Sequence, residues 1–314
     1  MSSAIQTSRS SRTAIYLSLV LAVALVLGVV VGAKVVFERA AKQPVPMSDL
    51  PAPLADSPEC TAFLETLPDK LIGHDRAEIL EPAPDGVAAW SSSSVERVTL
   101  RCGVDLPLQY TPYAPTETVD GVEWLRITDA TPGSTLQTWY TVDREQIVAV
   151  TADGESLGRH DEPVSALSEA VSGLPAADHE PFPAPLSQLT AAEGGAPEVC
   201  GDFLEALPDT IADDDYQRTE VPEADTVAWI ANGREPVVLR CGVAPPENYE
   251  PGIQLNQVDD IVWFEDTILA TGTTAATWFA LGRETDIAVS APQDVSSEVL
   301  VRLGRVIAAE TAEQ

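Results

Sequence analysis

Basic residues are scarce in this chain: 18 Lys and Arg stand against 49 Asp and Glu in 314 residues, a formal net charge of −31. A surface this negative repels phosphate backbones and anionic polymers, which are bound mainly through Lys and Arg, so no nucleic-acid partner is expected. Histidine is rarer still, with only His74, His160 and His179 present. Imidazole-assisted hydrolysis needs a base beside its nucleophile, and the motifs Gly-x-Ser-x-Gly, Ser-x-x-Lys, His-Glu-x-x-His and the phosphate loop are all missing. The four cysteines contain no C-x-x-C pair, which disfavours a zinc site. The acidic run Asp213, Asp214, Asp215 lacks the alternating ligands and central Gly of a calcium loop. No metal and no cofactor is expected. Paired carboxylates are the remaining catalytic option, for example Asp120 with Glu123 for glycosidase-like chemistry, but a second copy of that segment reads Asp259 and Val262.

Long apolar runs are limited to one. Thr13 to Ala33 carries no charge over 21 residues, which as a helix rises about 31 Å and matches a hydrocarbon core of roughly 30 Å. The run exceeds the usual h-region of a cleaved signal, so one retained transmembrane helix is expected. Arg9 and Arg12 before it and Lys34, Arg39 and Lys42 after it leave its orientation undecided by charge.

The remainder is a duplication. Cys60, Phe63, Leu64, Glu65, Leu67, Pro68 and Asp69 return as Cys200, Phe203, Leu204, Glu205, Leu207, Pro208 and Asp209, and Leu100-Arg101-Cys102-Gly103-Val104 returns as Leu239-Arg240-Cys241-Gly242-Val243. Trp90, Trp124, Trp139 and Arg144 match Trp229, Trp263, Trp278 and Arg283. Two equivalent domains favour disulfides Cys60 to Cys102 and Cys200 to Cys241. Such bonds persist in an oxidising space, which puts both domains outside the cytoplasm.

Proline marks the boundaries, at Pro44, Pro46, Pro51, Pro53 and Pro58 and again at Pro175, Pro181, Pro183 and Pro185. The expected organisation is a cytoplasmic tail at 1–12, a transmembrane helix at 13–33, a stiff proline-rich stalk at 34–56, a first domain at 57–173, a linker at 174–196 and a second domain at 197–310. Pro58 after Ser57 opens a helix with Cys60, Phe63, Leu64 and Leu67 on one face. Val98, Leu100, Cys102 and Val104 alternate as a half-buried strand. Val122 with Trp124, Thr138 to Val142 and Ile147 to Val150 read as further strands, the last two forming a hairpin. A final helix carries Val164, Leu167 and Val171, or Leu300, Leu303 and Ile307 in the second copy. The fold class is α+β, each domain an antiparallel sheet with flanking helices and one disulfide.

Six repeated side chains are binding candidates. Trp124 and Trp263 lie on predicted strands, where core packing competes with ligand stacking. Arg101 and Arg240 fall on the outward parity of their strand, free to meet solvent or a partner. Arg144 and Arg283 lie in hairpin turns, where a surface ion pair is the alternative.

The order of Cys60 to Pro68, Trp90, Leu100 to Val104, Val119-Asp120-Gly121-Val122-Glu123-Trp124 and Trp139 to Arg144 resembles an actinobacterial family of membrane-anchored proteins, the domain of unknown function 3515 family. Val258 to Trp263 and Trp278 to Arg283 repeat it. The resemblance implies a cell-envelope location and no assigned activity. A non-enzymatic membrane protein is therefore expected, single-pass, binding an envelope protein or small ligand with an avidity gain from two linked sites. The alternatives are an enzyme or enzyme accessory acting on envelope polymer, and a structural spacer.

Overall fold

The computed structural model describes residues 12–41, 43–193, 198–250, 252–266 and 273–314. Helix α1, Arg12–Ala41, contains the apolar stretch Ile15–Val36, none of it buried by protein. Its length and composition suit one membrane crossing or a signal sequence.

In the first copy, α2 (Pro58–Thr66) begins where the Ser57 side chain accepts from the Cys60 N–H at 3.2 Å. It ends at extended Leu67, because a residue before proline is driven out of the helical region. The sheet follows: β1 Lys70–Leu71, β2 His74–Ala77, β3 Val87–Ser91, β4 Arg97–Val104, β5 Thr116–Val119, β6 Val122–Thr128, β7 Gln137–Thr141 and β8 Ile147–Ala152. All neighbours are antiparallel, in the order β1-β2-β3-β4-β8-β7-β6-β5. Helices α3 (Gly154–Leu157) and α4 (Ser168–Ser172) complete the copy. The second repeats it with α5 Val199–Ala206, β9 Thr210–Ile211, β10 Tyr216–Thr219, β11 Thr226–Ile230, β12 Val237–Val243, β13 Asn256–Val258, β14 Ile261–Asp266, β15 Ala275–Leu281, β16 Asp286–Pro292 and α6 Ser296–Glu310. Its sheet order is β13-β14-β15-β16-β12-β11-β10-β9.

The expected strands are present, and four more per copy join them. β1 and β2 are too short to show a period, β3 is built largely from small residues, and β5 is a polar edge. The parity read for β4 holds through Cys102, with Val98, Leu100 and Cys102 fully buried. It then breaks, leaving Val104 half-buried, because a bulge between Cys102 and Val104 inserts Gly103 at φ +79°. The expected final helix of the first copy is divided into a 3-10 turn, Ser165–Leu167, and the five-residue α4, whereas α6 runs for 15 residues.

Each inner sheet face packs against its helices around Trp90, Trp124 and Trp139, or Trp229 and Trp263 with Trp278 partly buried beside them. Disulfides Cys60–Cys102 and Cys200–Cys241 tie the first helix of each copy to its central strand.

The proline-rich segments do not stand free. Val45 forms a parallel bridge with Ile79, and the Leu54 N–H donates to the Gly103 carbonyl at 3.1 Å. Likewise Ala191 bridges Val243, and the Ala192 N–H donates to Gly242 at 2.9 Å. Turns such as Leu189 N–H to the Leu186 carbonyl at 3.1 Å bond within these segments, and the strand arginines supply further donors to their carbonyls. Arg101 Nη2 reaches the Ser48 carbonyl at 2.6 Å, and Arg240 Nη1 reaches the Leu186 and Leu189 carbonyls at 3.0 and 2.8 Å. The duplication thus extends upstream, with Pro44, Pro46, Ser48 and Leu50 matching Pro183, Pro185, Ser187 and Leu189.

Candidate functional site

The structure takes most of the six candidate side chains out of a binding role. Trp124 and Trp263 have no exposed surface, so neither ring can stack on a ligand. Core packing claims both because inward parity on β6 and β14 points them at the helices. Arg101 and Arg240 are engaged by their own chain, as described above. Arg144 and Arg283 are not surface groups: 7% and 6% exposed, they reach the carbonyls that end the last helical segment of each copy. Arg144 Nε donates to Val171 at 3.3 Å and pairs with Asp143 at 2.8 Å. Arg283 donates to Thr311 Oγ1 at 3.0 Å, to the Ala308 carbonyl at 3.3 Å and to the Thr311 carbonyl. Arg283→Met leaves these acceptors buried without donors and should cost about 2–3 kcal/mol in urea denaturation. Arg283→Lys should recover under half of that, since one ammonium cannot reproduce a planar fork.

Asp120 and Glu123 flank the β5–β6 turn, with the Glu123 carboxylate accepting from Thr116 at 2.7 Å. One unforeseen pair does meet: His74 Nδ1 lies 2.7 Å from Ser92 Oγ, and Nε2 lies 2.7 Å from the Ser156 carbonyl. A carbonyl can only accept, so Nε2 carries the proton and the buried ring ties β2 to α3 and to the β3–β4 connection.

The two copies meet at a built junction. The loop after β4 reaches across, and Tyr113 packs with Ala184 and Leu186 of the inter-copy segment against Ala228, Val238, Phe264, Phe279 and Ala288 on the outer face of the second sheet. Tyr113 Oη donates to Glu223, the Phe182 N–H to the Tyr110 carbonyl at 2.8 Å, and the Thr128 N–H to Gly233 at 2.7 Å. Burial and the Glu223 carboxylate together raise the Tyr113 phenol, which stays a donor across the physiological range. The corresponding face of the first sheet is more polar and only half-covered: Thr99 and Tyr140 stand where Val238 and Phe279 are buried.

Within the junction is a cavity of about 310 Å³, walled by Leu108, Phe182, Leu186, Leu189 and three prolines, with Gln109, Thr111, Gln188, Glu235, Thr273, Thr277 and Ser290 as its polar residues. Glu235 is 9% exposed. Its Oε1 accepts from Gln109 Nε2 at 3.1 Å, Thr274 N at 2.9 Å and Thr274 Oγ1 at 2.8 Å. Thr111 Oγ1 is buried and has no hydrogen-bond partner. A wider groove of about 840 Å³ beside residues 47–56 and Pro82–Asp85 is open to solvent and has Arg101 as its one basic side chain. The junction cavity is the better site, because it is large enough for a small ligand and sets the buried Glu235 and Thr111 among apolar walls contributed by both copies. Sequence reasoning missed Glu235, although it lies six residues after Trp229 as Glu96 lies six after Trp90.

Asp286, at the start of β16, is half-buried, and desolvation raises its carboxyl. A raised acid opposes folding when ionised and ceases to do so as pH falls through its folded value. Asp286→Asn should therefore raise the melting temperature at pH 7, with the gain shrinking towards pH 4, in a pH series of thermal melts.

Fold and site together define a tandem α+β protein with an N-terminal helix of membrane-spanning length and one cavity built by both copies. The chain belongs to the family described as protein of unknown function (DUF3515), whose model matches residues 19–179 and again residues 174–314. No curated protein and no solved structure matches it.

Proposed function

We propose that this protein is a non-enzymatic, membrane-anchored binding protein of the cell envelope, with α1 retained as a single-pass anchor and both copies extracytoplasmic. The disulfides support that side of the membrane, since such bonds persist where thiols are not kept reduced. The observation that carries the binding reading is the junction cavity, lined jointly by the first copy's loop, the inter-copy segment and the second sheet, with the buried Glu235 and Thr111 among its walls. Duplication on this reading produces one composite site, because the first copy's loop and the inter-copy segment meet the outer face of the second sheet, whereas the corresponding face of the first is more polar and only half-covered. Avidity between two equivalent sites is not needed.

Native mass spectrometry of the full-length protein, released from its own membranes in detergent, tests the reading. A small-molecule adduct on protein of uncleaved mass is expected, lost when Ser290→Phe fills the cavity. Protein found soluble and shortened at its N-terminus would contradict the anchor. An adduct retained by Ser290→Phe, or none in the native protein, would contradict the site.

A further inference from the structure

We infer that the junction cavity receives a small organic cation, an ammonium group on an apolar body, with Glu235 as its counter-charge. The inference rests on the cavity being a ligand site and adds the class of ligand.

Glu235 is a buried carboxylate with neutral donors only. Gln109 and Thr274 occupy Oε1, and no described residue donates to Oε2. Among the described residues no Lys or Arg pairs with it; the adjacent Arg234 is engaged by Asp294 at 2.5 Å. Residues 267–272, outside the described set, include no basic side chain. Oε2 thus remains open to a donor, and an ionised partner there would make the stronger, charge-assisted hydrogen bond.

The rest of the wall points the same way. No Lys, Arg or His lines the cavity, so an anionic ligand would meet no counter-charge. Pro183, Pro185 and Pro236 contribute no N–H, while Thr111, Thr277 and Ser290 bring hydroxyl oxygens. Thr111 Oγ1, buried and unpartnered, is a second acceptor for an ammonium with three donors. Leu108, Phe182, Leu186 and Leu189 suit an apolar body. The volume of about 310 Å³ equals that of roughly ten water molecules, which fits a ligand of about that many non-hydrogen atoms. The net charge of −31 concentrates cations around the whole surface.

Calorimetric titration of the full-length protein in nanodiscs, corrected against empty nanodiscs, compares three near-isosteres: phenethylamine, 2-phenylethanol and phenylacetate. Phenethylammonium should bind at least tenfold more tightly than either of the others. Glu235→Gln, which keeps an oxygen for the Gln109 and Thr274 donors, should weaken it at least tenfold. Thr111→Val should weaken it severalfold, and Glu96→Gln, at the equivalent position of the first copy, should change nothing. Melting curves confirm that each variant folds, and Thr111→Val carries the test if Glu235→Gln does not. Binding of 2-phenylethanol or phenylacetate as tight as the amine, or an amine affinity unchanged in both variants, overturns the cationic class but leaves a ligand site. Failure of all three probes, or binding that survives Ser290→Phe, overturns the site with it.

Discussion

Replacing Cys200 and Cys241 together by alanine lowers the stability of the second copy by about 4 kcal/mol. The bond spans 41 residues, and opening it returns the loop-closure entropy of that span to the unfolded chain. An ordinary domain has about 5–15 kcal/mol in all, so the loss is a large share. It also reaches further than one domain, because Cys241 lies on β12, whose neighbours Val238 and Val243 form the floor on which Tyr113 and the inter-copy segment rest. The junction should loosen with it. Guanidinium denaturation of this variant beside Cys60→Ala/Cys102→Ala measures both effects. The first-copy bond spans 42 residues, so a similar loss of stability is expected there, with the cavity retained. A cost under about 1 kcal/mol in either would show that the bonds stabilise little.

The second large effect is at Gly103. A Cβ there would lie 2.3 Å from the Leu54 carbonyl carbon and 2.5 Å from the Ala55 nitrogen, with φ at +79°. Backbone cannot rotate aside as a side chain can. Gly103→Ala should therefore combine left-handed strain of about 1–3 kcal/mol with displacement of residues 54–55 from the sheet, about 3 kcal/mol or more in total. Gly133→Ala is the control, since its φ is +82° but nothing lies within 4 Å of the added carbon; only the strain should register there. Chemical denaturation gives the energies, and hydrogen exchange at Leu54 reports the displacement. Equal costs at the two glycines would refute the close approach.

Much of this architecture was legible from residues alone, and the reasons are physical. Matching Cys and Trp positions gave the duplication and the disulfide pairs, and alternation at Val98, Leu100 and Cys102 gave a strand whose inward face is the core. The proline-rich segments misled because composition reports a backbone without N–H groups and says nothing of what binds its carbonyls. The signal was present in the spacing: Pro44, Pro46, Ser48 and Leu50 recur as Pro183, Pro185, Ser187 and Leu189. Arg101 and Arg240, correctly placed on the outward face, find their partners there. The candidate site was the least legible part. Glu235 and Thr111 are 124 residues apart and share a cavity only because the first copy's loop crosses onto the second sheet, a contact that no local period encodes.

The central claim is that the inter-copy segment is structural and holds both copies around one cavity. Hydrogen–deuterium exchange of the full-length protein, read at the amides of Phe182, Leu189, Ala192 and Ala244, tests it most directly. Each donates to a backbone carbonyl, and the Phe182 N–H bonds the first copy at Tyr110. Protection within about tenfold of the Cys241 amide on β12 is the predicted result. Exchange at the rate of an unstructured peptide would mean a free linker, two independent domains and no shared site.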